Sequence, residues 1–230
     1  MKFLFVNPPV QNSYSFSFIP HGLLEVISIL RHQGHEILLM DLMNHGKNQF
    51  SKKDLNFIRQ NSFDAILLGG YIHQLYSIKQ LIRTIREIKR DAFIVTGGIG
   101  YHGIFREAME YTSCDLLVCC EMQPVAEDIC RFIRSRKTND LPGGVLYKDE
   151  KGAVHGDSLQ EKITDLDSLP LPYYGLFDAD NIFRKSFSGF NREISVDMYT
   201  SRGCPFRCNY CVNSHPDFGN RSRYRFKKTG

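Results

Sequence analysis

Residues 65–89, AILLGGYIHQLYSIKQLIRTIREIK, contain a short apolar run, a glycine pair and then a segment of helical period. The run Ala65 to Leu68 is apolar throughout and short, which predicts a β-strand. Apolar residues after the glycine pair recur at the i, i+3, i+4 spacing of a helix that buries one face, namely Leu75, Ile78, Ile82 and Ile85. The stretch therefore predicts one complete strand, loop and helix unit.

The same alternation of strand and helix runs through the first 140 residues. The predicted strands are 2–6, 36–40, 65–68, 93–96 and 116–119, and the predicted helices are 22–33, 52–60, 75–89, 104–111 and 125–135. Five such units predict a parallel sheet that is covered by helices on both faces and joined by right-handed crossovers. We therefore expect an α/β fold with a Rossmann-like (flavodoxin-like) five-stranded parallel sheet in a domain of residues 1–140.

Three of these strands end in residues that suit a ligand site, because ligands of parallel sheets bind at the carboxyl ends of the strands. Glycine lacks a Cβ, so backbone at a glycine can approach a ligand closely. Glycine pairs also fit ordinary strand-to-helix turns, so both interpretations stay open here. The candidate residues are Asn7, Pro8 and Pro9 after the first strand, Gly69, Gly70 and Tyr71 after the third, and Thr96, Gly97, Gly98 and Ile99 after the fourth.

The segment Gly98 to Gly103 matches the G-x-G-x-x-G pattern of dinucleotide sites, and Glu121 follows as a candidate ribose-binding acid. In dinucleotide-binding folds, however, this pattern follows the first strand of the sheet. Here it follows the fourth predicted strand, while the first strand ends in prolines. A nicotinamide or flavin oxidoreductase is therefore kept only as an alternative.

The pattern changes after Asn139. Residues 145–147 and 153–155 predict a hairpin, and 165–172 is a linker bounded by prolines. We assign residues 141–193 to a hairpin and linker, and 194–230 to the incomplete start of a second domain. Only four consecutive apolar residues, Phe3 to Val6, precede Asn7 near the N-terminus, which is too few for a signal peptide or a membrane span. We expect a cytoplasmic protein.

The seven cysteines indicate metal chemistry more than disulfides, because their number is odd and their spacing is uneven. Cys204, Cys208 and Cys211 form a C-x3-C-x2-C cluster. With His215 they would make a closed zinc site, and with three thiolates alone they would hold an iron–sulfur cube that keeps one iron open. Spacing alone leaves both metals possible. The other four cysteines are interpreted as packing residues: Cys114, Cys119, Cys120 and Cys130.

The positive charge of the chain is concentrated near its end. Residues 184–230 contain ten Lys or Arg and three acidic residues. Such a segment could bind nucleic acid beside a zinc site, which is the alternative function. No aromatic residues recur at regular intervals through it, as single-strand binding would require. We interpret it as a solvated face or as the anion-facing wall of a second domain, and expect no nucleic-acid partner.

Residues 200–211, TSRGCPFRCNYC, resemble the signature of the radical S-adenosylmethionine superfamily, in which an aromatic residue precedes the third cysteine. The resemblance covers nearly the whole chain and extends to the subfamily with an N-terminal cobalamin-binding domain. The segments that carry it upstream are NPP at 7–9, GLL at 22–24, LR at 30–31, GHE at 34–36, DL at 41–42, GG at 97–98 and DLDSLP at 165–170.

This resemblance implies a Rossmann-like domain of the cobalamin-binding type, followed by the truncated start of a partial (β/α) barrel. It implies that Cys204, Cys208 and Cys211 bind a [4Fe–4S] cluster whose fourth iron chelates S-adenosylmethionine, with Tyr210 beside the adenine. The turns after the first, third and fourth strands would line the cobalamin.

The resemblance also implies an enzyme. Reductive cleavage of S-adenosylmethionine would give a 5′-deoxyadenosyl radical, and cobalamin would carry a methyl group for transfer where the reaction requires one. Methyl transfer, ring closure and other C–H functionalisation are all compatible with the family. The expected partners are a small-molecule or natural-product substrate and an external electron donor such as flavodoxin or ferredoxin. Because the sequence stops soon after the cysteine loop, we expect it to be an inactive fragment by itself.

Overall fold

The computed structural model describes residues 1–10, 20–158, 163, 165–177, 201–202, 208, 210–211 and 225–226. Within these residues, one sheet is covered by α-helices on both faces. Its strands are β1 (Lys2–Asn7), β2 (Glu36–Asp41), β3 (Ala65–Gly69), β4 (Ile94–Gly97), β5 (Leu116–Val118), β6 (Val145–Lys148) and β7 (Val154–Gly156). The helices are α1 (His21–His32), α2 (Lys52–Gln60), α3 (Leu75–Ile88), α4 (Phe105–Thr112) and α5 (Ala126–Ser135).

The strand order is β2-β1-β3-β4-β5-β6-β7. The strands β1 to β5 are parallel, and Phe3 of β1 is in register with Ile37 of β2 on one side and Ala65 of β3 on the other. The direction of the strand order reverses between β1 and β3. At such a switch point the loops that follow the two strands diverge and leave a crevice at the carboxyl edge of the sheet.

The sheet is mixed and has seven strands, where the sequence pattern led us to expect five parallel ones. The hairpin of β6 and β7 forms where it was predicted, but β6 pairs antiparallel with β5 and extends the sheet. Val145 and Leu146 of β6 are fully buried there. This pairing uses the backbone groups that β5 would otherwise leave at an open edge, for example through the hydrogen bond from Cys119 N to Gly144 O at 2.9 Å.

Two apolar layers hold the helices to the sheet. Side chains of β1 alternate between them, since successive residues of a strand point to opposite faces. Leu4 and Val6 pack in the layer that also contains residues of α2, α3 and α4. Phe3 and Phe5 pack in the layer that contains residues of α1 and α5. Because both faces of β1 are covered, its residues 3–6 are all apolar instead of alternating with polar residues.

Helix α2 begins at a capping box. Ser51 Oγ accepts a hydrogen bond from Asp54 N at 3.2 Å, and Asp54 Oδ2 accepts one from Ser51 N at 2.8 Å. Lys47 Nζ lies 3.1 Å from the same carboxylate. Burial acts to raise the pKa of Asp54, but the hydrogen bonds from Ser51 and the charge of Lys47 outweigh it, so the pKa lies below its ordinary value of 3.8.

The segment that follows the sheet packs along α1. Tyr173 N donates a hydrogen bond to Ser28 Oγ at 2.8 Å, and the Arg31 guanidinium lies 3.9 Å from the centre of the Tyr173 ring. Further on, β8 (Ser201–Arg202) pairs antiparallel with β9 (Arg225–Phe226). Most of the predicted second domain, residues 194–230, lies outside the described residues. No helix in the described ranges is long and apolar enough to cross a membrane.

Candidate functional site

The turns that follow β3 and β4 are in direct backbone contact at the carboxyl edge of the sheet. Gly70 N donates to Gly97 O and Gly100 N donates to Gly70 O, both at 3.2 Å. Gly98 has a φ of 117°, a conformation that residues with a Cβ rarely adopt, and a Cβ there would stand 2.7 Å from Gly70 O. The glycine pairs predicted from the sequence are therefore brought together into one surface.

Gln74 fixes this surface to the loop that follows β1. Its Oε1 accepts a hydrogen bond from Tyr71 N at 2.9 Å, and its Nε2 donates to Pro8 O at 2.6 Å. The side chain is 1% exposed, and a Cβ at Gly70 would stand 2.8 Å from its Oε1. Sequence reasoning did not identify Gln74. The one feature of the sequence that could have identified it is an amide residue four positions after Gly70, at the start of α3.

Not every predicted residue faces the edge surface. The side-chain amide of Asn7 is buried and donates to Asp41 Oδ1 at 2.8 Å, while Asn44 Nδ2 donates to Asp41 Oδ2 at 2.7 Å. Thr96 is also buried, and its hydroxyl donates to Cys114 Sγ at 3.1 Å. These two side chains stabilise the ends of their strands from the inside. Pro8 and Pro9 are buried as well.

Large apolar side chains surround the glycine turns and stand out from the sheet edge. They are 38% to 57% exposed: Tyr71, Ile72, Tyr76 and Ile99. The ring of Tyr71 stacks on that of His73 with 5.5 Å between the ring centroids and 5° between the planes. Scattered exposed apolar residues need no explanation, but a group of them around a glycine-lined edge indicates a binding surface.

The cysteine loop is described only in part. Cys208 and Cys211 are half-buried, and Cys211 N donates to Cys208 O at 3.1 Å, so a tight turn joins the two residues. Tyr210 between them is 92% exposed. Cys204 and His215 lie outside the described residues, so neither the cluster nor the zinc alternative is tested here. Among the residues that the structure does describe, no three His, Cys, Asp or Glu side chains are placed to share a metal.

Three of the remaining cysteines have the environment of packing residues. Cys114, Cys119 and Cys130 are buried, and burial raises the pKa of each thiol, for Cys130 to about 11. A thiol with so high a pKa stays protonated at neutral pH and is a poor metal ligand. Cys120 is half-buried at the end of β5.

The G-x-G-x-x-G segment lies between β4 and α4. A Cβ at Gly100 would stand 2.3 Å from the carbonyl carbon of Tyr71, so this glycine serves a contact within the protein. Glu121, the candidate ribose-binding acid, accepts a hydrogen bond from Ile163 N at 2.8 Å through Oε2. Both residues are thus engaged by the chain itself, and the pattern is not on the first strand, where a dinucleotide site requires it.

Comparisons with known proteins give a consistent result. No family model matches the chain. It is 26% identical over 97% of its length to an uncharacterized methyltransferase, PH0819, of Pyrococcus horikoshii, and 26% identical over 60% of its length to the anaerobic magnesium-protoporphyrin IX monomethyl ester cyclase of Rubrivivax gelatinosus. The chain spans 47% of the first relative and 24% of the second, about half and a quarter of their lengths.

Solved structures extend this result. TsrM from Kitasatospora setae, a radical S-adenosylmethionine methyltransferase with bound cobalamin and [4Fe–4S] cluster, aligns over 99% of this chain and 43% of its own at 20% identity, with a TM-score of 0.66. OxsB, a cobalamin-dependent S-adenosylmethionine radical enzyme, aligns over 98% of this chain and 29% of its own at 20% identity, with a TM-score of 0.71.

The fold is that of an α/β protein with a mixed sheet, and proteins with such open sheets bind ligands at the topological switch point of the carboxyl edge. More particularly, the chain has the fold of the cobalamin-dependent radical S-adenosylmethionine enzymes. The resemblance seen in the sequence is therefore confirmed.

Proposed function

We propose that this chain is part of a cobalamin-dependent radical S-adenosylmethionine enzyme. The observation that carries the proposal is the glycine-lined carboxyl edge, with its exposed apolar side chains, in a chain that also contains the C-x3-C-x2-C loop. The similarity in fold to TsrM and OxsB supports it. Methyl transfer is the first reaction to test, and ring closure or another C–H functionalisation is the next.

The edge surface fits cobalamin in its chemistry. At the end of β4 the backbone of Gly98 is exposed and that of Gly97 is half-buried, so a broad planar ligand could lie against this backbone. Tyr71 and Ile99 offer apolar area next to this backbone. When bound, cobalamin would supply a methyl group. The role of this chain is to hold the ligand on residues 69–71 and 97–99 and to exclude water from one side of it.

The cysteine loop fits an iron–sulfur cluster. Cys208 and Cys211 are half-buried and joined by a turn, whereas Cys114, Cys119 and Cys130 are buried, and burial raises the pKa of their thiols. Three cysteine ligands leave a fourth iron for S-adenosylmethionine, and the cluster would supply the electron for its cleavage. The exposed ring of Tyr210 would bind the adenine.

The proposal also includes the domain boundaries, the substrate class and the electron donor. We assign residues 1–140 to the cobalamin domain, 141–193 to the connection and 194–230 to the start of a (β/α) barrel, with the hairpin of the connection built into the sheet. The proposed substrate is a small molecule or a natural product, and the proposed electron donor is an external protein such as flavodoxin or ferredoxin.

Metal analysis tests the proposal directly. The full-length protein is expressed without oxygen and with iron, sulfide and cobalamin supplied, and iron, cobalt and zinc per protein are measured by mass spectrometry. We expect about four iron and about one cobalt. About one zinc without cobalt would overturn the proposal in favour of the closed Cys3His site.

A further inference from the structure

An arginine that precedes the cysteine loop is held by side chains of the sheet domain. Arg202, two residues before Cys204, donates from Nη2 to Glu25 Oε2, and its Nη1 lies 3.9 Å from Glu121 Oε1. Gln123 Nε2 donates to the same Glu25 oxygen at 2.8 Å. We define these four residues as the loop clamp: Glu25, Glu121, Gln123 and Arg202.

The loop clamp lies at the carboxyl edge of the sheet. Glu25 is in the second turn of α1. Leu23, two residues before it in the same helix, has its Cδ1 3.7 Å from a Cβ placed at Gly69, at the end of β3. Glu121 and Gln123 follow the carboxyl end of β5. The clamp therefore connects the segment before the cysteine loop to the edge that carries the glycine turns.

The charged side chains of the loop clamp interact with one another where solvent has little access. The side chains of Arg202, Glu25 and Glu121 are only 18%, 12% and 20% exposed, so their interaction is weakly screened by solvent. Two carboxylates face one guanidinium, whose planar set of donors can serve both. Without the arginine the two carboxylates would repel each other in a half-buried position, which gives the contact a larger effect than a surface ion pair has.

We infer that Glu25 and Glu121 are positioning residues for the cysteine loop, and that they act through Arg202. The inference rests on the proposed function, in which this loop carries the cluster. It assigns to the sheet domain a second role besides ligand binding, namely to hold the cysteine loop at a fixed distance from the carboxyl edge of the sheet. The cluster and the cobalamin surface would then keep a constant separation.

Thiol alkylation of the full-length protein without cofactors tests the clamp. The rates of modification of Cys208, Cys211 and Cys130 are followed by peptide mass spectrometry in the wild type and in Arg202→Gln and Glu25→Gln variants. We expect both variants to modify Cys208 and Cys211 about tenfold faster, because modification follows the population of the opened loop. Cys130, which is buried in α5, should react at an unchanged rate.

Two further variants separate positioning from general stability. Arg202→Lys keeps the charge but loses the planar set of donors, so its rates should lie between wild type and Arg202→Gln. Arg83→Gln removes an exposed arginine from its ion pair with Glu87 and should leave all rates unchanged. Unchanged rates at Cys208 and Cys211 in both clamp variants, or equal acceleration at Cys130, would overturn the inference.

This result is independent of the cofactors. A wild-type protein that binds no iron would contradict the proposed function, while the thiol rates would still decide whether the clamp fixes the loop. Conversely, wild-type iron content with unchanged thiol rates in the clamp variants would contradict the clamp and leave the proposed function intact. In the loaded protein we expect Arg202→Gln to bind less iron than Arg202→Lys.

Discussion

The α-carbon of Gly100 lies so close to the backbone of Tyr71 that a Cβ at position 100 would stand 2.3 Å from the carbonyl carbon of Tyr71 and 2.4 Å from Ile72 N. Both neighbours are backbone atoms, which cannot move aside as a flexible side chain could. The packing of the turn after β4 on the turn after β3 therefore requires glycine at position 100.

We expect Gly100→Ala to separate these two turns. Cobalamin affinity should fall by at least about tenfold, and the free energy of unfolding should fall by about 1–3 kcal/mol, the usual effect of forcing extra atoms into a packed site. Titration with cobalamin and urea denaturation measure the two effects. Gly143→Ala is the matched control, since a Cβ there has no neighbour closer than 4.0 Å. Equal affinity in the two variants would contradict the assignment of the surface.

The buried amide of Gln74 allows a second test. In Gln74→Glu the group that donates to Pro8 O becomes an oxygen, so a carboxylate faces a carbonyl in a position that is 1% exposed. We expect a loss of about 1–3 kcal/mol in the free energy of unfolding, since a buried acceptor is left without a donor. Gln60→Glu, at the exposed end of α2, should change it by less than about 0.5 kcal/mol.

Cobalamin titration of Gln74→Glu shows whether the amide is needed for ligand binding as well as for the stability of the fold. Because Gln74 connects the loops after β1 and β3, we expect weaker cobalamin binding at temperatures where the variant is still folded. Binding as tight as in the wild type would mean that the amide stabilises the fold alone.

Cysteine substitutions test the cluster ligands. Cys204→Ser, Cys208→Ser and Cys211→Ser should each reduce bound iron from about four per protein to near zero, because three thiolates must hold the cube. Cys130→Ala should keep its iron, since that thiol is buried and protonated. Retention of iron in the Cys208→Ser variant, measured without oxygen by mass spectrometry and electron paramagnetic resonance, would contradict the proposed ligands.

The capping box of α2 predicts a dependence of stability on pH. The pKa of Asp54 is lower in the folded protein than its ordinary value of 3.8, so its contribution is present above that value and is lost as the pH falls through the folded pKa. Asp54→Asn should therefore be less stable than wild type at pH 7 in urea denaturation. The difference should shrink below pH 3.8. A constant difference from pH 7 to pH 3 would show that the carboxylate charge has no part in it.

Much of this architecture could be predicted because it depends on local patterns. The apolar run Ala65 to Leu68 predicted a strand, and the helical spacing from Leu75 to Ile85 predicted a helix. Both begin at the predicted residue, and the last residue of each differs from the prediction by one position. The hairpin at β6 and β7 was also placed correctly. That the hairpin joins the sheet was not predicted, because the pairing of Val145 with Val118 depends on which edge of the sheet is open in space.

The residues of the candidate site also fall into two groups, those that the sequence predicted and those that only the tertiary structure identified. Glycines after strands and closely spaced cysteines are visible in sequence because the restriction acts on the residue itself or on its near neighbours. Gln74 and Pro8 are 66 positions apart, and Arg202 and Glu25 are 177 apart. Their polar side chains are common residue types, and nothing nearby marks them as partners.

The sequence by itself determined the alternation of strand and helix, the positions of the glycine turns, the cysteine spacing and the family resemblance. Tertiary structure decided the strand order, the addition of β6 and β7 to the sheet, the burial of Asn7 and Thr96 and the loop clamp. The physical reason is the separation along the chain over which each kind of interaction acts. Backbone propensity and periodicity act over a few residues, whereas pairing of strands and of buried charges is settled only when distant segments are packed together.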